Sequence, residues 1–547
     1  MKKEKFISRT ALLAARPALL TRTIRTVLGS AALLSTFACA AQSTTSVVTS
    51  WGTIAEPSLP TVICKTLPAT RTPVNGSIDA IDANPENSAP DTTEIQNAIN
   101  ACAAGQAVRL VTGSAGQSGF LSGPLTLKSG VTLWIDQGVT LYASRNPADF
   151  DNGVGTCGTA TTSSKASCNA LISVDHAVGS GIVGEGIIDG RGGSLLTNGP
   201  NAGKRSWWDV AYQTKTADVT QQNPRLLNTN GGSDFTLYGI TFENAPNFNV
   251  ALDNMQGVVA WGIKILSPSL AYTKPGYACP AGSTPDQVTP ATCFTPDTVK
   301  NTDGFDPGES SDVLLAYSYI STGDDHVAVK AGSGTGSHNL MFAHNHLYYG
   351  HGLSIGSETN TGVSNMTVED LSMDGYDSPN GGGLRIKSDV SRGGVVSAVS
   401  YQDICMRNVR EPLVFDAYYS AAKGRSYPWF KGITINGFHD LGSTAYGGGL
   451  AVFAAYAKYP LQITMQNVQF DGEQPTLAMK GHNGSPSALP ANVDFTFGPA
   501  PVSFAVQLAK NSGKGVTLTD SVTASPAPID CSASFVPFSS VLPDSPI

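Results

Sequence analysis

A short pattern of apolar positions recurs along the chain between residues 235 and 470. In each copy, apolar side chains occupy the first, third, sixth and eighth positions. Ser318 and Asn345 interrupt the sixth position of two copies. Alternation within each half is the two-residue period of a strand, and the extra residue between the halves predicts a bend. The copies begin at Phe235, Val258, Val313, Leu340, Met366, Val399 and Ile463.

The spacing of these copies predicts a solenoid. Successive copies begin 23 to 33 residues apart over much of the region, which is an irregular repeat. Two short strands and a bend form one rung of a parallel β-helix, whose rungs stack ~4.8 Å apart with inward apolar columns. The predicted fold class is therefore all-β, with residues 61–547 in a single parallel β-helix that forms one catalytic domain.

One helix is predicted near the start of this domain. Asp91 is an N-cap residue, and Glu94 lies at capping-box spacing from it. An apolar face that begins at Ile95 follows, and Gly105 ends the pattern. We expect this helix to cover the N-terminal end of the solenoid, where an unpaired strand edge would otherwise be open to pairing.

The first 40 residues resemble an export signal. A basic region extends to Arg25, an apolar run covers residues 27–38, and Ala38-Cys39-Ala40 fits a cleavage site. A lipid-anchored Cys39 is the alternative, although Thr36 stands where a lipobox has Leu. Removing residues 1–40 changes the formal charge from −8 to −14. The Ser, Thr and Pro-rich residues 41–60 indicate a flexible linker.

Composition agrees with export and with a strand-rich fold. Gly contributes 58 and Pro 33 of the 547 residues, and only 14% are charged, which suits short strands and tight turns. Apart from Cys39, eight cysteines remain, and an even number in an exported chain predicts disulfides. The pairs 157–168 and 279–293 are favoured, 64–102 is plausible, and Cys405 and Cys531 either pair or stay reduced. The 279–293 bond would hold an insertion at 275–296.

Four charged stretches lie about one rung apart. Asp303 precedes Asp324 by 21 residues, His351 lies 26 residues beyond Asp325, and Arg385 follows after another 34. Stacked rungs would therefore bring these residues to one wall of the solenoid. The stretches are Asn301-Thr302-Asp303-Gly304, Gly323-Asp324-Asp325-His326, Gly350-His351-Gly352 and Arg385-Ile386-Lys387.

This wall combines an acid, a base and a positive patch. Clustered carboxylates raise one another's pKa, so that one can keep a proton while another is ionised. Arg385 and Lys387 face the same side of a strand and can hold an anionic group. In an acidic chain that does not suit nucleic acid, such a patch favours hydrolysis of an acidic polysaccharide by general acid–base catalysis.

Each motif also has a simpler explanation. Taken alone, these stretches are typical of turns, Ca²⁺-binding loops or solvated strand faces, and only their rung spacing favours a site. His338, His344 and His346 fall between inward positions, so we expect surface residues rather than a metal site. The Trp207-Trp208 pair is compatible with sugar stacking or with core packing.

Together, the four motifs resemble the signature set of the polygalacturonases, glycoside hydrolase family 28, in family order. The resemblance extends from about Cys64 to about Phe470 and is greatest for the secreted bacterial endo-acting members. Beyond these limits, the chain carries an N-terminal extension and an atypical tail after about residue 475. The resemblance includes further matches at Ser122-Gly123-Pro124-Leu125, Ser206-Trp207-Trp208 and Leu353-Ser354-Ile355-Gly356-Ser357.

The resemblance implies a right-handed parallel β-helix that hydrolyses α-1,4-linked galacturonic acid in pectin, without a cofactor or metal. Asp324 would be the general acid. Asp303 and Asp325 would hold and deprotonate the attacking water, and His351 would orient Asp324. We expect the protein to be a monomer and not to associate with a membrane after signal removal.

The resemblance also assigns substrate binding. Arg385 and Lys387 would bind galacturonate carboxylates, and Tyr419 would line the cleft, although Tyr418 is adjacent. His326 departs from the family, in which many members have Cys, and we expect it to point inward.

The stereochemical outcome and the type of activity stay open at the level of sequence. Stacking on adjacent rungs predicts carboxylates ~5 Å apart, a separation typical of retention, whereas the family implies inversion, which we adopt. Endo action is favoured over exo action. A Ca²⁺-dependent pectate lyase and a polysaccharide-binding β-helix without catalysis are also compatible with a charged wall on a solenoid.

Overall fold

A computed structural model describes residues 45–547 apart from 83, 85–86, 164, 218, 286–288, 472–475, 478–491, 500–501, 504–515 and 521–528. The predicted signal peptide, residues 1–40, lies outside the described residues. No helix in the described part of the chain is both long enough and apolar enough to cross a membrane. The helices are Thr92–Ala101, Pro147–Phe150 and Trp207–Ala217, with single 3₁₀ turns at Pro275–Tyr277 and Phe538–Ser540.

The predicted single parallel β-helix is confirmed: three parallel sheets run along the solenoid. The sheet that carries the charged stretches, here the cleft sheet, contains Leu125–Leu127, Phe305–Gly308, Val327–Val329, Leu353–Ile355, Gly382–Lys387, Glu411–Asp416, Leu450–Ala454 and Thr476–Leu477. The second sheet contains Ile63–Pro68, Gln106–Val111, Val131–Ile135, Gly181–Val183, Ser311–Ala316, Val493–Phe497 and Val516–Asp520. The third contains Gly119–Ser122, Thr140–Ala143, Ile187–Asp189, Thr241–Glu243, Lys264–Leu266, Tyr319–Ser321 and Val502–Ser503.

Longer strands connect these sheets. Ile172–Val178 belongs to the cleft sheet, and the strands that follow it pass round a bend from one sheet to the next. Strands pair beyond residue 475, so the β-helix extends into the predicted tail. The longer strands are Ile172–Val178, Leu227–Tyr238, Val250–Trp261, Ser337–Leu347, Val363–Asp374, Val395–Arg407, Trp429–Asp440 and Leu461–Phe470.

The apolar repeat lines the interior, as predicted. The side chains at its first, third, sixth and eighth positions are buried in one continuous core. The fifth residue of each copy has a positive φ, for example 54° at Tyr317, 57° at His344 and 48° at Asp370. One left-handed residue therefore makes each bend and keeps both halves of the repeat facing inward.

Two polar residues in the apolar columns have hydrogen-bond partners in the backbone near the bend. The Asn345 side chain accepts a hydrogen bond from the Ser318 N–H at 2.9 Å and donates one to the Leu315 carbonyl at 2.9 Å. The Ser318 hydroxyl donates to the Ala316 carbonyl at 2.9 Å. Both side chains therefore bond backbone groups near the bend, which removes the cost of burying them.

The predicted helix forms at Thr92–Ala101 and packs on the first strands of the solenoid. The predicted side-chain cap is wrong, because the Asp91 carboxylate accepts a hydrogen bond from the Leu121 N–H at 2.6 Å and pairs with Arg71. The helix Trp207–Ala217 was not predicted. It buries Trp208 against Tyr272 and Phe294 in a cluster separate from the main core, which excludes sugar stacking by that ring.

The expected flexible linker at 41–60 is wrong for its central part. Ser46–Thr49 and Gly52–Ala55 form an antiparallel hairpin. Its Val47 side chain is buried against Trp261 and Leu314 on the outer face of the second sheet. The apolar outer face around Trp261 allows the hairpin to bury Val47, which the Ser and Thr-rich composition did not reveal.

Four disulfides connect the described part of the chain. The three predicted pairs form, and the pair left open, Cys405–Cys531, is also bonded. This bond fixes a C-terminal segment that runs back along the outside of the solenoid. There Phe538 stacks on Tyr348 with ring centroids 4.7 Å apart, and Gly276 of the insertion donates a hydrogen bond to the Pro546 carbonyl at 2.7 Å.

Replacing both Cys405 and Cys531 with Ser is expected to lower the free energy of unfolding by about 2 kcal/mol more than replacing both Cys157 and Cys168. The two bonds close loops of 126 and 11 residues, and the loss of unfolded-state entropy grows with loop length. Denaturant titration of both double variants tests this difference. Equal losses would show that loop closure does not govern the stability that these bonds supply.

Candidate active site

The four charged stretches meet at one edge of the cleft sheet, as the rung spacing predicted. Asp303, Asp325 and His351 occupy equivalent positions on successive rungs. Each lies two residues before a member of one row of residues that pair with one another across neighbouring strands. Backbone hydrogen bonds connect the rungs here; for example, the Gly304 N–H donates to the Asp325 carbonyl at 2.9 Å. The row consists of Phe305, Val327, Leu353 and Leu384.

Asp325 lies in a buried ion-pair network. Its carboxylate oxygens accept from Lys387 Nζ at 2.5 Å and from Arg385 at 3.1 Å, and the Ser354 hydroxyl donates to it at 3.0 Å. Burial raises the pKa of Asp325, but Lys387 and then Arg385 lower it by more, so that the net shift is downward. Asp325 is therefore the carboxylate that stays ionised.

Asp324 is paired with the imidazole of His351 and lines the same cavity as its neighbour Asp325. His351 Nδ1 lies 3.2 Å from Asp324 Oδ1, and the His351 N–H donates to the Asp324 carbonyl at 2.9 Å. The Asn301 side-chain nitrogen lies 3.5 Å from the other carboxylate oxygen. Both side chains of the pair are partly exposed, so a ligand can reach them.

Asp303 is more basic than Asp325. It is buried, and burial followed by the charge of Asp324 raises its pKa well above the ordinary value. The pKa values of Asp303 and Asp325 are therefore shifted in opposite directions, although the two residues occupy equivalent positions on neighbouring rungs. In its ionised form, Asp303 is thus a stronger proton acceptor than Asp325.

The three carboxylates, His351 and the two cations line one cavity of about 840 Å³. Tyr419 also lines it, with its ring centroid 5.3 Å from Lys387 Nζ. The adjacent Tyr418 turns away and packs on Tyr456, with ring centroids 4.1 Å apart. The structure thus distinguishes the two tyrosines that the sequence could not.

His326 points inward, as predicted, and holds the loop that carries His351. It is fully buried, its Nε2 lies 3.0 Å from the Tyr348 carbonyl, and its Nδ1 accepts from the Gly352 N–H at 3.2 Å. Burial lowers the pKa of His326 to about 4, so the ring is neutral and can accept that bond. A Cβ on Gly350 would lie 2.5 Å from this ring, so the loop requires glycine there.

Sequence reasoning missed Lys330, Asp306 and Glu358. Lys330 and Glu358 line the cavity, and Lys330 also lies beside the Asp306 carboxylate in an adjoining groove. Neither oxygen of this buried carboxylate has a hydrogen-bond partner among the described residues. A signal existed, because Lys330 ends the run Val327-Ala328-Val329 at an outward-facing position.

Replacing Lys330 with Met is expected to move the acid limb of the kcat/KM profile to higher pH. Burial and Asp324 raise the pKa of Asp303, whereas Lys330 lowers it, so removing the cation raises this pKa further. A base with a higher pKa is lost to protonation at higher pH, and kcat/KM at pH 5 relative to pH 7 should fall at least ~3-fold. The measurement is a pH–rate profile of the variant and wild type.

Lys300→Met is the matched control, because Lys300 lines the same cavity but is not among the main causes of the Asp303 shift. Its acid limb should coincide with that of the wild type. Identical limbs for both variants would contradict the assignment of this limb to Asp303.

One cluster has the geometry of a metal site. Single donor atoms of Asp324, Asp325 and His351 lie within 4.8 Å of one another. A cation there would compete with Arg385 and Lys387 for Asp325, so the donor set fits proton transfer better than cation binding.

The three histidines set aside as surface residues lie on the outer faces of the second and third sheets. His344 and His346 bond to Asp370 and Ser372, each at 2.7 Å. The His344 ring stacks on Tyr317 and the His346 ring stacks on Tyr319, both on the neighbouring rung.

Comparison with known proteins places this architecture among the pectinolytic glycosidases. The model of glycosyl hydrolases family 28 matches residues 102–488. A polygalacturonase of Ralstonia nicotianae is 63% identical over 94% of this chain and 98% of its own length. An endo-polygalacturonase of Pectobacterium carotovorum subsp. carotovorum is 40% identical over 71% of this chain and 86% of its own.

A solved structure agrees with these relatives. The polygalacturonase from Erwinia carotovora ssp. carotovora superposes with a TM-score of 0.64 and 37% identity, and the match covers 79% of this chain and 98% of that one. The family match, the two relatives and the shared fold lead to one conclusion: this chain belongs to glycoside hydrolase family 28.

Proposed function

We propose that the protein hydrolyses α-1,4-galacturonosidic bonds within polygalacturonate by general acid–base catalysis, as an endo-acting, inverting enzyme. The observation that carries this proposal is the meeting of three carboxylates, one imidazole and two cations in a single open cavity. Relatives named polygalacturonase and endo-polygalacturonase support the substrate and the mode of attack.

In the proposed reaction, Asp324 donates its proton to the glycosidic oxygen as the bond to the anomeric carbon breaks. A water molecule attacks that carbon from the opposite face and transfers a proton to Asp303, whose raised pKa makes it the better acceptor. Asp325, held ionised by its two cations, orients the water. His351 bonds to Asp324 and orients it.

The two cations have a double role in this proposal. Arg385 and Lys387 both contact Asp325, but a guanidinium has five N–H donors and an ammonium has three. Their remaining donors are available for a galacturonate carboxylate, and Tyr419 offers an aromatic wall beside them. Substrate binding and the charge state of Asp325 are thereby linked.

The shape of the cleft supports endo action. A second cavity of about 700 Å³ adjoins the first and shares Phe248 and Asn301 with it. Residues 166–170, next to the Cys157–Cys168 bond, form part of its wall, and Arg225 lines it. A groove that continues past the carboxylates accommodates a polymer on both sides of the cleaved bond.

We also propose that the protein is exported. The predicted signal peptide and the four disulfides support a proposed secreted, extracellular enzyme that acts as a monomer on pectin.

The size of the products over time tests the proposed activity. Early release of mixed oligomers from polygalacturonate is expected, whereas monomer or dimer alone would overturn endo action. NMR of the first-formed anomer should show inverted configuration, and a retained anomer would exclude water as the nucleophile. Unsaturated products that a chelator abolishes would identify a lyase instead.

A further inference from the structure

A chain of aromatic rings lies on the C-terminal rungs, beyond the cleft. Tyr418 packs on Tyr456 with ring centroids 4.1 Å apart, and Tyr456 meets Tyr427 at 4.9 Å. Tyr427 in turn stacks on Tyr459 at 6.0 Å, and Tyr459 lies 5.9 Å from Trp429. These five rings connect two successive rungs. We refer to four of them as the aromatic patch: Tyr427, Trp429, Tyr456 and Tyr459.

The middle of this patch is accessible. Tyr427 is 45% exposed, which is unusual for a large aromatic side chain with ring neighbours. Lys423 and Arg425, just before it in the chain, are exposed as well. A ligand that reaches Tyr427 therefore also meets two flexible cations.

Two further cations belong to the patch. Lys431 Nζ lies 4.1 Å from the centre of the Trp429 ring, and Lys458 Nζ lies 5.5 Å from that of Tyr459. Such cation–π contacts hold the charges against the rings. The patch thus presents aromatic and positively charged groups side by side.

The local sequence contrasts with the rest of the protein. Residues 417–439 and 441–470 contain neither Asp nor Glu, although the whole chain has a formal charge of −8. The four cations of the patch are therefore not neutralised by carboxylates of their own segments. A positive surface of this kind on an acidic protein selects an anionic partner.

The patch continues from the cleft. Tyr419, which lines the cavity, directly precedes the loop that carries the exposed cations. That loop is fixed to the rung below, because Tyr419 donates to the Ser388 carbonyl at 3.0 Å and Ser426 donates to the Val390 carbonyl at 2.9 Å. Tyr419 lines the cleft, and Tyr418 before it packs on Tyr456 of the patch, so the two surfaces adjoin at these neighbouring residues.

We propose that the aromatic patch is a second binding surface for anionic galacturonan, outside the catalytic cleft. Sugar C–H faces would pack on Tyr427 and its neighbouring rings, and the four cations would pair with uronate carboxylates. The proposal rests on the proposed function, because it requires a polymer substrate. It adds a contact that acts on long chains only, and such a contact increases avidity without changing the chemistry.

Binding of long-chain polygalacturonate in an Asp324→Asn background tests this surface without cleavage. Tyr427→Ala and the pair Lys423→Ala with Arg425→Ala should each weaken polymer binding by at least about fivefold at low salt. The effect of the charge pair should shrink at high salt, as screening grows. The same substitutions in the otherwise wild-type enzyme should leave kcat/KM on trigalacturonate within about twofold.

The matched control is Lys65→Ala with Lys274→Ala, which removes two exposed lysines elsewhere. Polymer binding by this control should equal that of the parent. The proposal would be overturned if the patch variants bound polymer as well as the parent does, or if their kcat/KM on trigalacturonate fell as much as their polymer binding. It would also be overturned if the patch proved to mediate a self-association of the protein that the substitutions abolish. Hydrolysis of polygalacturonate by the wild type is measured separately, so failure of the proposed activity is distinguishable from failure of the patch.

Discussion

Replacing Asp324 with Asn is expected to reduce kcat on polygalacturonate by at least about 10²-fold, because general acid catalysis typically contributes that much. Asn keeps the size of the side chain and can still bond His351, which lies 3.2 Å away, but it cannot deliver a proton to the glycosidic oxygen. The measurement is steady-state release of reducing ends. The KM should change little, since the cations that bind substrate stay in place.

A second readout separates proton donation from a general disturbance of the site. A galacturonide with an activated leaving group needs little protonation, so the variant should lose much less rate on it than on the polymer. Asp175→Asn, which alters an exposed carboxylate elsewhere on the cleft sheet, should retain full activity on both. A loss below tenfold on polygalacturonate would assign the general acid to another group.

The architecture could be predicted from the sequence because each rung of the solenoid repeats the same pattern of apolar positions. The repeat beginning at Phe235 alternates with period two, and the same pattern is then imposed on each rung, so register and inward face follow from the spacing. Asp303, Asp325 and His351 are aligned for the same reason. Even Asn345, which interrupts the pattern, bonds inside the column because the neighbouring rung presents backbone groups there.

What escaped prediction depends on contacts between distant residues. The Asp91 carboxylate has the local signal of a cap, yet Arg71 and the Leu121 N–H provide stronger partners. Val47 has no local reason to be ordered, and it acquires one only from the apolar outer face around Trp261. Arg385 could be assigned to the substrate, but its pairing with Asp325 required the stacked rungs.

Replacing Lys387 with Met is expected to lower the free energy of unfolding by about 3–5 kcal/mol at neutral pH, because it leaves the buried Asp325 carboxylate with one partner fewer. In the wild type, Lys387 and Arg385 outweigh burial and lower the pKa of Asp325. Its ionised form therefore adds stability above ~pH 3.9, and this contribution is lost as the pH falls through the lowered pKa.

In the variant, burial raises the pKa of Asp325 instead, so its ionisation opposes folding as the pH rises above ~3.9. The stability difference between wild type and variant should thus be greatest near pH 7 and narrow towards pH 4. Denaturant titrations at both pH values measure it, and Lys274→Met, on an exposed lysine, should show no loss. Adding Asp325→Asn to Lys387→Met should restore much of the stability and none of the activity, since the unpaired charge is gone but the water-orienting carboxylate is gone too. A loss that is independent of pH, or a double variant no more stable than Lys387→Met alone, would contradict the buried ion pair as its cause.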